Sequence, residues 1–183
     1  FPDEPSFRIV RLNVSAVIDT RDDLFDASRG WFHSSTVEHA PTGLGSDLRF
    51  AKYLAQQYYY RRVGGVVLAS AARIGLATAL GDELIPTERF HAGGGNTVRG
   101  YAQDSLGPVG FFGDPIGGDA LLLLNQEVRF PLFRVLRGVG FVDAGNVFAS
   151  PGDLSLRDLR VGLGGGARLL RRWILTPLKE CAA

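Results

Sequence analysis

Apolar and polar side chains alternate along most of this chain with a period of two residues. From Arg8 to Arg21 the even positions are mostly apolar and the odd positions mostly polar or charged, and the alternation returns over residues 119–132 and 159–169. This period is typical of β-strands that have one apolar and one polar face. Two architectures present such strands: a soluble sandwich with its apolar faces in a core, and a transmembrane barrel with its apolar face against lipid.

Strand length separates the two architectures. Strands of soluble proteins average about 5–6 residues, whereas a tilted strand needs about 9–11 residues to cross a membrane. The alternating segments are longer than the soluble average, which favours an all-β fold: a transmembrane antiparallel up-and-down β-barrel of about eight strands, forming a single domain over residues 1–183. The predicted strands are Phe7–Thr20, Trp31–Ala40, Asp47–Arg61, Gly65–Leu80, Asp119–Leu132, Val135–Ala149, Leu159–Arg168 and a weaker one near Arg171–Leu178.

The predicted connections differ in length, and one of them is very long. Bacterial barrels have short periplasmic turns at one end and longer loops at the other, and we expect the same asymmetry here. The loop of about residues 81–118 exceeds what a simple connection needs, and loops of this length are commonly functional. Tight turns are predicted at residues 61–64 and 131–134, and longer connections at residues 20–30, 40–46, 80–118 and 150–158.

Composition narrows the class of protein. Hydrophobic residues make up 45% of the chain, but the mean hydropathy is only +0.06, and no stretch approaches the roughly 18 apolar residues of a membrane helix. The 24 glycines favour strands and turns over helices. A net charge of +1 argues against a nucleic-acid partner. The single Cys181 excludes a disulfide framework, and the absence of an initiator Met indicates a mature or excised segment.

Candidate catalytic and metal-binding residues are few. His33, Ser35 and His39 share one face of a predicted strand, but a catalytic triad also needs an acid and an oxyanion hole. The two histidines lack a third metal ligand. The glycine triplet Gly93–Gly95 is not followed by the Gly-Lys-Ser/Thr of a phosphate-binding loop. We therefore predict no enzyme activity, no metal and no cofactor.

The centre of the long loop resembles a known family signature. Its sequence, Gly93-Gly94-Gly95-Asn96-Thr97 followed by Val98-Arg99-Gly100-Tyr101, is similar to the Gly-Gly-x-x-x-Val-Arg-Gly-Tyr loop motif of the bacterial surface antigen family, the BamA/TamA-like barrels of outer-membrane assembly and translocation. Three further segments resemble that family in the family's own order. They are Asp19–Asp23 with Arg29-Gly30, then Asn125–Pro131, then Gly140–Phe148.

The resemblance implies where the loop lies and what it contacts. In that family the loop folds back into the barrel, and its arginine meets acidic residues of the inner wall. Carried over to this chain, the arginine is Arg99 and the acids are Glu127 and Asp143, with Gly100 allowing close backbone approach and Tyr101 packing beside it. The alternation independently places Glu127 on a polar strand face. The alternative is that Arg99 is a solvated loop residue.

The same resemblance implies a function and shows departures from the family pattern. The matched segments correspond to the C-terminal half of the family barrel, without POTRA domains, and the segment 171–183 carries Pro177 but no terminal aromatic residue. A closed eight-stranded barrel would leave little room for the loop.

The expected function is insertion or translocation of outer-membrane proteins in the bacterial outer membrane. The alternative is a passive structural barrel or narrow pore. The expected partners are outer-membrane lipid, unfolded outer-membrane protein clients and a second copy of the chain joined through an open edge, with no nucleic acid. If water passes, five arginines would give the pore an anion preference: Arg11, Arg73, Arg129, Arg160 and Arg168. The alternative is that these charges pair internally with Asp19, Glu127 and Asp143, which a narrow barrel favours.

Overall fold

The described part of the chain forms one antiparallel sheet. The computed structural model describes residues 8–81, 83–133 and 136–169, and each strand pairs with the strands before and after it in sequence. This is the predicted up-and-down topology. The strands are β1 (Leu12–Asp19), β2 (Gly30–Ala40), β3 (Phe50–Val63), β4 (Val66–Ala79), β5 (Ala120–Pro131), β6 (Leu136–Phe148) and β7 (Arg160–Leu169).

Seven of the eight predicted strands therefore have a counterpart, and the eighth, near Arg171–Leu178, lies outside the described residues. Within the described ranges no helix is long and apolar enough to cross a membrane. The helical elements there are single 3₁₀ turns in the connections, at Thr42–Leu44, Pro86–Glu88, Pro151–Asp153 and Leu156–Asp158.

The sheet is not closed among the described residues, because β1 and β7 each pair with one neighbouring strand there. This differs from the closed eight-stranded barrel of the prediction. An open sheet of seven strands also removes the steric difficulty expected for the long loop, since a closed barrel of eight strands has an interior just wide enough for its own side chains.

Strand register divides the side chains between two faces. Asn125 lies opposite Asp143, and Glu127 lies opposite Phe141, so these four side chains share the face that meets the long loop, called here the inner face. The opposite, outer face carries exposed apolar side chains such as Leu163, which is 80% exposed. This is the division that the alternation predicts, with the apolar face outermost, as lipid contact requires.

One connection departs from the expected asymmetry. Alternate connections leave the sheet at opposite ends, so residues 20–29 leave at the same end as the tight turn at Gly64-Gly65, called here the turn end. This connection is long but internally organised, because the carboxylate of Asp22 accepts hydrogen bonds from the hydroxyl and backbone N–H of Ser28 and from the backbone N–H of Arg29. These bonds lower the pKa of Asp22 below its ordinary value.

The inner face is apolar at the other end of the sheet, where the long loop packs on it. One buried cluster joins loop and wall, and a second surrounds Phe50 at the base of the loop. The inward side chains of the wall there are therefore covered by the loop and not solvated. The first cluster consists of Ala92, Val98 and Leu106 from the loop and Leu121, Leu123 and Val147 from the wall.

Candidate functional site

The long loop, residues 80–119, is built from backbone pairings nested inside one another. Phe90 and Gly118 exchange backbone hydrogen bonds of 2.8 and 3.0 Å, and the backbone N–H of Leu106 donates to the carbonyl of Ala92 over 2.9 Å. These pairings bring the two arms of the loop together. They leave residues 93–105 as the loop tip, which is the part that contains the family-like motif.

The glycine-rich start of the tip forms a turn closed on itself. Gly93 has a φ of +117°, a conformation that side-chain-bearing residues rarely adopt. Its backbone N–H donates to the hydroxyl of Thr97, and that hydroxyl donates to the Gly93 carbonyl, both over 2.8 Å. The first backbone N–H of the triplet thus donates within the turn, whereas in a phosphate-binding loop it would point at the ligand.

Arg99 lies on the inner wall and is bound by two carboxylates. Its Nε and Nη2 donate to the two oxygens of Asp143 over 2.6 and 2.8 Å, and its Nη1 donates to Glu127 over 3.1 Å. Its backbone N–H also donates to Asp143 over 3.1 Å. The forked pairing satisfies both planar groups at once, which is the geometry to which a guanidinium is best suited. We call Arg99, Glu127 and Asp143 the loop anchor.

Two neighbours complete the loop anchor. The side-chain amide of Asn125 donates to Asp143 over 2.9 Å and to the backbone carbonyl of Thr97 over 2.8 Å. The centroid of the Phe141 ring lies 3.5 Å from the guanidinium carbon of Arg99, a cation–π contact. Asp143 is completely buried, and these donors compensate its charge. Sequence reasoning missed both neighbours, although strand alternation places Asn125 and Phe141 on the same face as Glu127 and Asp143.

The remaining motif residues fit the wall closely. Val98 is fully buried in the apolar cluster, and the hydroxyl of Tyr101 donates to the carbonyl of Val161 in β7 over 3.3 Å. Gly100 has a φ of +95° and open space where a Cβ would lie, so its backbone conformation requires glycine. The predicted reason, close backbone approach, is therefore wrong for Gly100.

Close approach is instead provided by glycines of the wall. A Cβ at Gly162 of β7 would clash with the backbone carbonyl of Arg99. A Cβ at Gly145 of β6 would clash with Leu123 and lie 2.9 Å from Val98. The backbone of the loop tip therefore passes close to β7, and Gly145 of β6 leaves room for the side chain of Val98.

The charges continue from the loop anchor toward the turn end. Arg129 donates through Nε to Glu127 over 2.7 Å and through Nη1 to the carbonyl of Ala27 over 3.3 Å, and it lies 3.8 Å from Asp26. Arg137 donates to Asp26 over 2.7 Å. Ala27 is buried, so the connection 20–29 bends onto the inner face. Loops from opposite ends of the sheet are thus joined by one series of charged groups, which was not predicted.

A second charged cluster attaches the base of the long loop to the inner face near β1 and β3. Glu88 of the loop is only 6% exposed and lies 2.8 Å from Arg11 and 3.3 Å from Lys52. Arg11 also pairs with Glu38 over 3.3 Å. We call Glu88, Arg11 and Lys52 the loop base cluster.

The arginines that the pore interpretation places in the lumen have different environments. Arg11 and Arg129 are ion-paired as described, and Arg73 donates to the backbone carbonyl of Asn96 over 2.6 Å. Arg160 and Arg168 have no ion pair within the described residues. The expected internal pairing of these charges therefore applies to some of them only, and Asp19, one of the expected acids, pairs with Arg21.

The histidine and serine side chains singled out above lie on the outer face. Nε2 of His33 is 2.9 Å from the hydroxyl of Ser35, as their spacing predicts. Its Nδ1 is 3.0 Å from the side-chain carbonyl of Gln57. In a catalytic triad this position is taken by a carboxylate and not by an amide. No group of three or more His, Cys, Asp or Glu side chains suited to a metal is found in the ranges that the structure describes.

Comparison with known proteins agrees with the fold and the motif. The family model described as the Omp85 superfamily domain matches residues 3–170. The chain belongs to the Omp85 superfamily. A SAM50-like protein of Schizosaccharomyces pombe is 30% identical over 144 residues, covering 75% of this chain and 29% of that protein. The outer membrane protein assembly factor BamA of Nitratidesulfovibrio vulgaris is 30% identical over 112 residues, covering 60% of this chain and 14% of that protein.

A solved structure supports the architecture. BamA from Haemophilus ducreyi lacking POTRA domains 1–3 superposes with a TM-score of 0.75 at 19% identity, covering 87% of this chain and 36% of that one. The predicted resemblance to the assembly barrels and the transmembrane β-barrel class are confirmed. The chain spans less than a third of the length of the two Omp85 relatives named above, so its sheet corresponds to part of a larger protein in each comparison.

Proposed function

We propose that this Omp85 chain assists the insertion or translocation of outer-membrane proteins in a bacterial outer membrane. Its direct partners in this proposal are membrane lipid and unfolded outer-membrane protein clients. The chain acts as a scaffold and takes no chemical step. The relative from Nitratidesulfovibrio vulgaris, an outer membrane protein assembly factor, supports this role, and the loop anchor is the structural observation that carries it.

The loop anchor supports the proposal because it fixes a large segment inside the sheet. Four hydrogen bonds from Arg99, three from its side chain and one from its backbone, attach the tip to Asp143 and Glu127, and Asn125 adds a fifth contact to the tip. A passive wall needs no such attachment. In our proposal the attached tip keeps the inner face in one arrangement while a client strand engages the sheet.

The edges of the sheet supply a surface for that engagement. In the described residues β1 and β7 each present one edge without a partner strand. Such an edge exposes backbone donors and acceptors that pair with an added strand. A client strand is the partner we propose, and a second copy of this chain is the competing occupant.

Client insertion into liposomes tests this function. The full 183-residue chain is reconstituted, a urea-unfolded eight-stranded client barrel is added, and the heat-modifiable client band is followed with time. We expect wild type to accelerate client folding and Arg99→Ala to slow it about tenfold or more, since the loop tip is no longer attached to Asp143 and Glu127. Arg61→Ala is the matched control, because Arg61 is exposed near the end of β3 and its parity places it on the outer face.

The outcomes separate the candidate functions. No acceleration by the wild-type chain would overturn the assembly role. Ion conductance in planar bilayers without any effect on the client would instead favour the passive pore. Crosslinked dimers that form through β1 or β7 and exclude the client would identify a second copy of the chain as the edge partner.

A further inference from the structure

A cationic cavity lies beneath the tip of the long loop, on the inner face. Its volume is about 350 Å³, at the lower end of the roughly 300–1,000 Å³ of small-molecule sites. Four arginines line it, Arg73, Arg99, Arg129 and Arg168, against one carboxylate, Glu127. The backbone of the tip forms one wall, so the cavity belongs to the loop-attached state of the sheet.

Two of these arginines are already neutralised by protein carboxylates. Arg99 is paired with Asp143 and Glu127, and Arg129 is paired with Glu127 and lies near Asp26. Arg73 and Arg168 have no carboxylate within ion-pair distance among residues 8–81, 83–133 and 136–169. The described wall therefore presents two uncompensated positive charges to one open cavity, and such charges favour binding of an anion.

The hydrogen bonding of Arg73 is also incomplete. One Nη donates to the carbonyl of Asn96 over 2.6 Å, which fixes the guanidinium beside the loop tip. Its Nε is buried and has no hydrogen-bond partner in the described structure. Buried guanidinium donors without partners are uncommon, because an unpaired charged donor is costly. Tyr58 and Tyr60 also line the cavity, and the Tyr58 hydroxyl lies 3.4 Å from the side-chain oxygen of Gln56.

We infer that this cavity binds a doubly charged phosphate group that contacts the guanidinium groups of Arg73 and Arg168. Two guanidinium groups match the charge of a phosphate monoester and the spread of its oxygens. The group belongs either to a free phosphate compound or to the headgroup of a phosphate-bearing lipid, and the chemistry of recognition is the same for both. A bound phosphate would bridge the tip, through Arg73, to β7, through Arg168.

Binding to the folded full-length chain in a neutral detergent tests the inference. Isothermal titration is carried out with inorganic phosphate and, separately, with soluble dihexanoyl phosphatidic acid. We expect saturable binding by wild type that is weakened about tenfold by Arg73→Gln and by Arg168→Gln, because each variant removes one charged donor group. Arg61→Gln on the outer face should bind as wild type does.

Each outcome has a distinct meaning. Binding of both probes with equal affinity supports a free phosphate as ligand, and binding of the lipid probe alone supports a headgroup. No saturable binding of either probe, or binding that is unaffected by both substitutions, overturns the inference. If Arg73→Gln fails to fold because the contact with Asn96 is lost, Arg168→Gln decides, since Arg168 is exposed and its side chain makes no hydrogen bond in the described residues.

Discussion

The loop anchor and the loop base cluster both attach the long loop to the inner face of the sheet, the first at β5 and β6 and the second at β3 and the start of β1. The signs of the charges are reversed between them. In the loop anchor the loop supplies the cation, Arg99, and the wall supplies the carboxylates. In the loop base cluster the loop supplies the carboxylate, Glu88, and the wall supplies the cations. Both hold the loop electrostatically, but their surroundings differ.

Burial and hydrogen-bond saturation distinguish the two attachments. Asp143 is fully buried and accepts four hydrogen bonds, so removal of its partner leaves a charge that water cannot reach. In the loop base cluster the side chain of Arg11 is 39% exposed and also pairs with Glu38, so it retains both solvent and a second carboxylate if Glu88 is lost. Lys52 is 18% exposed and lies 5.3 Å from the centroid of the Phe90 ring, so it keeps that contact and some solvent. The comparison teaches that the geometry of burial, more than the number of ion pairs, decides which attachment is essential.

The largest expected effect is that of Arg99→Ala. This change leaves Asp143 buried with only the backbone N–H of residue 99 and Asn125 as donors, and losing one partner of a buried pair costs about 3–5 kcal/mol. The free energy of unfolding is measured by urea titration of the full-length chain in detergent, followed by tryptophan fluorescence. A loss no larger than that of the control Arg61→Ala would show that the loop anchor does not stabilise the fold.

A steric change tests the loop anchor without altering any charge. Gly162→Ala places a Cβ against the backbone carbonyl of Arg99, and overpacking of this kind costs about 1–3 kcal/mol. Gly166→Ala is the matched control on the same strand, because nothing lies within 4 Å of a Cβ there.

The two ways of breaking the loop anchor are then combined. When Arg99→Ala is already present, Gly162→Ala should lower the free energy of unfolding by less than it does alone, since the loop backbone is already free to move away. Equal losses of unfolding free energy for Gly162→Ala and its control Gly166→Ala would contradict the close passage of the tip over β7.

The smallest expected effect is that of Glu88→Gln in the loop base cluster. The amide still accepts hydrogen bonds, and Arg11 is partly solvated, so the loss should be about 1 kcal/mol or less. Glu83→Gln is the control, because the Glu83 side chain is 94% exposed. A Glu88→Gln loss equal to that of Arg99→Ala in the same urea titration would reverse the ranking of the two attachments.

Much of the fold was readable from the alternation of side chains. Seven strands appear within a few residues of their predicted positions, and Glu127 faces the loop as its parity predicts. The family resemblance placed Arg99 beside Glu127 and Asp143, and the structure brings these three side chains together. Strand parity and a loop motif are local properties, so a single sequence carries them.

The sequence by itself determined the strands, their two faces and the loop motif, because each depends on residues close together in the chain. Only the tertiary structure decided that Asn125 and Phe141 complete the loop anchor, that Gly162 makes room for the loop, and that Asp26 reaches Arg129. These contacts join residues up to about a hundred positions apart. They depend on strand register and on the path of two loops over the inner face, and neither is encoded in a local period of two.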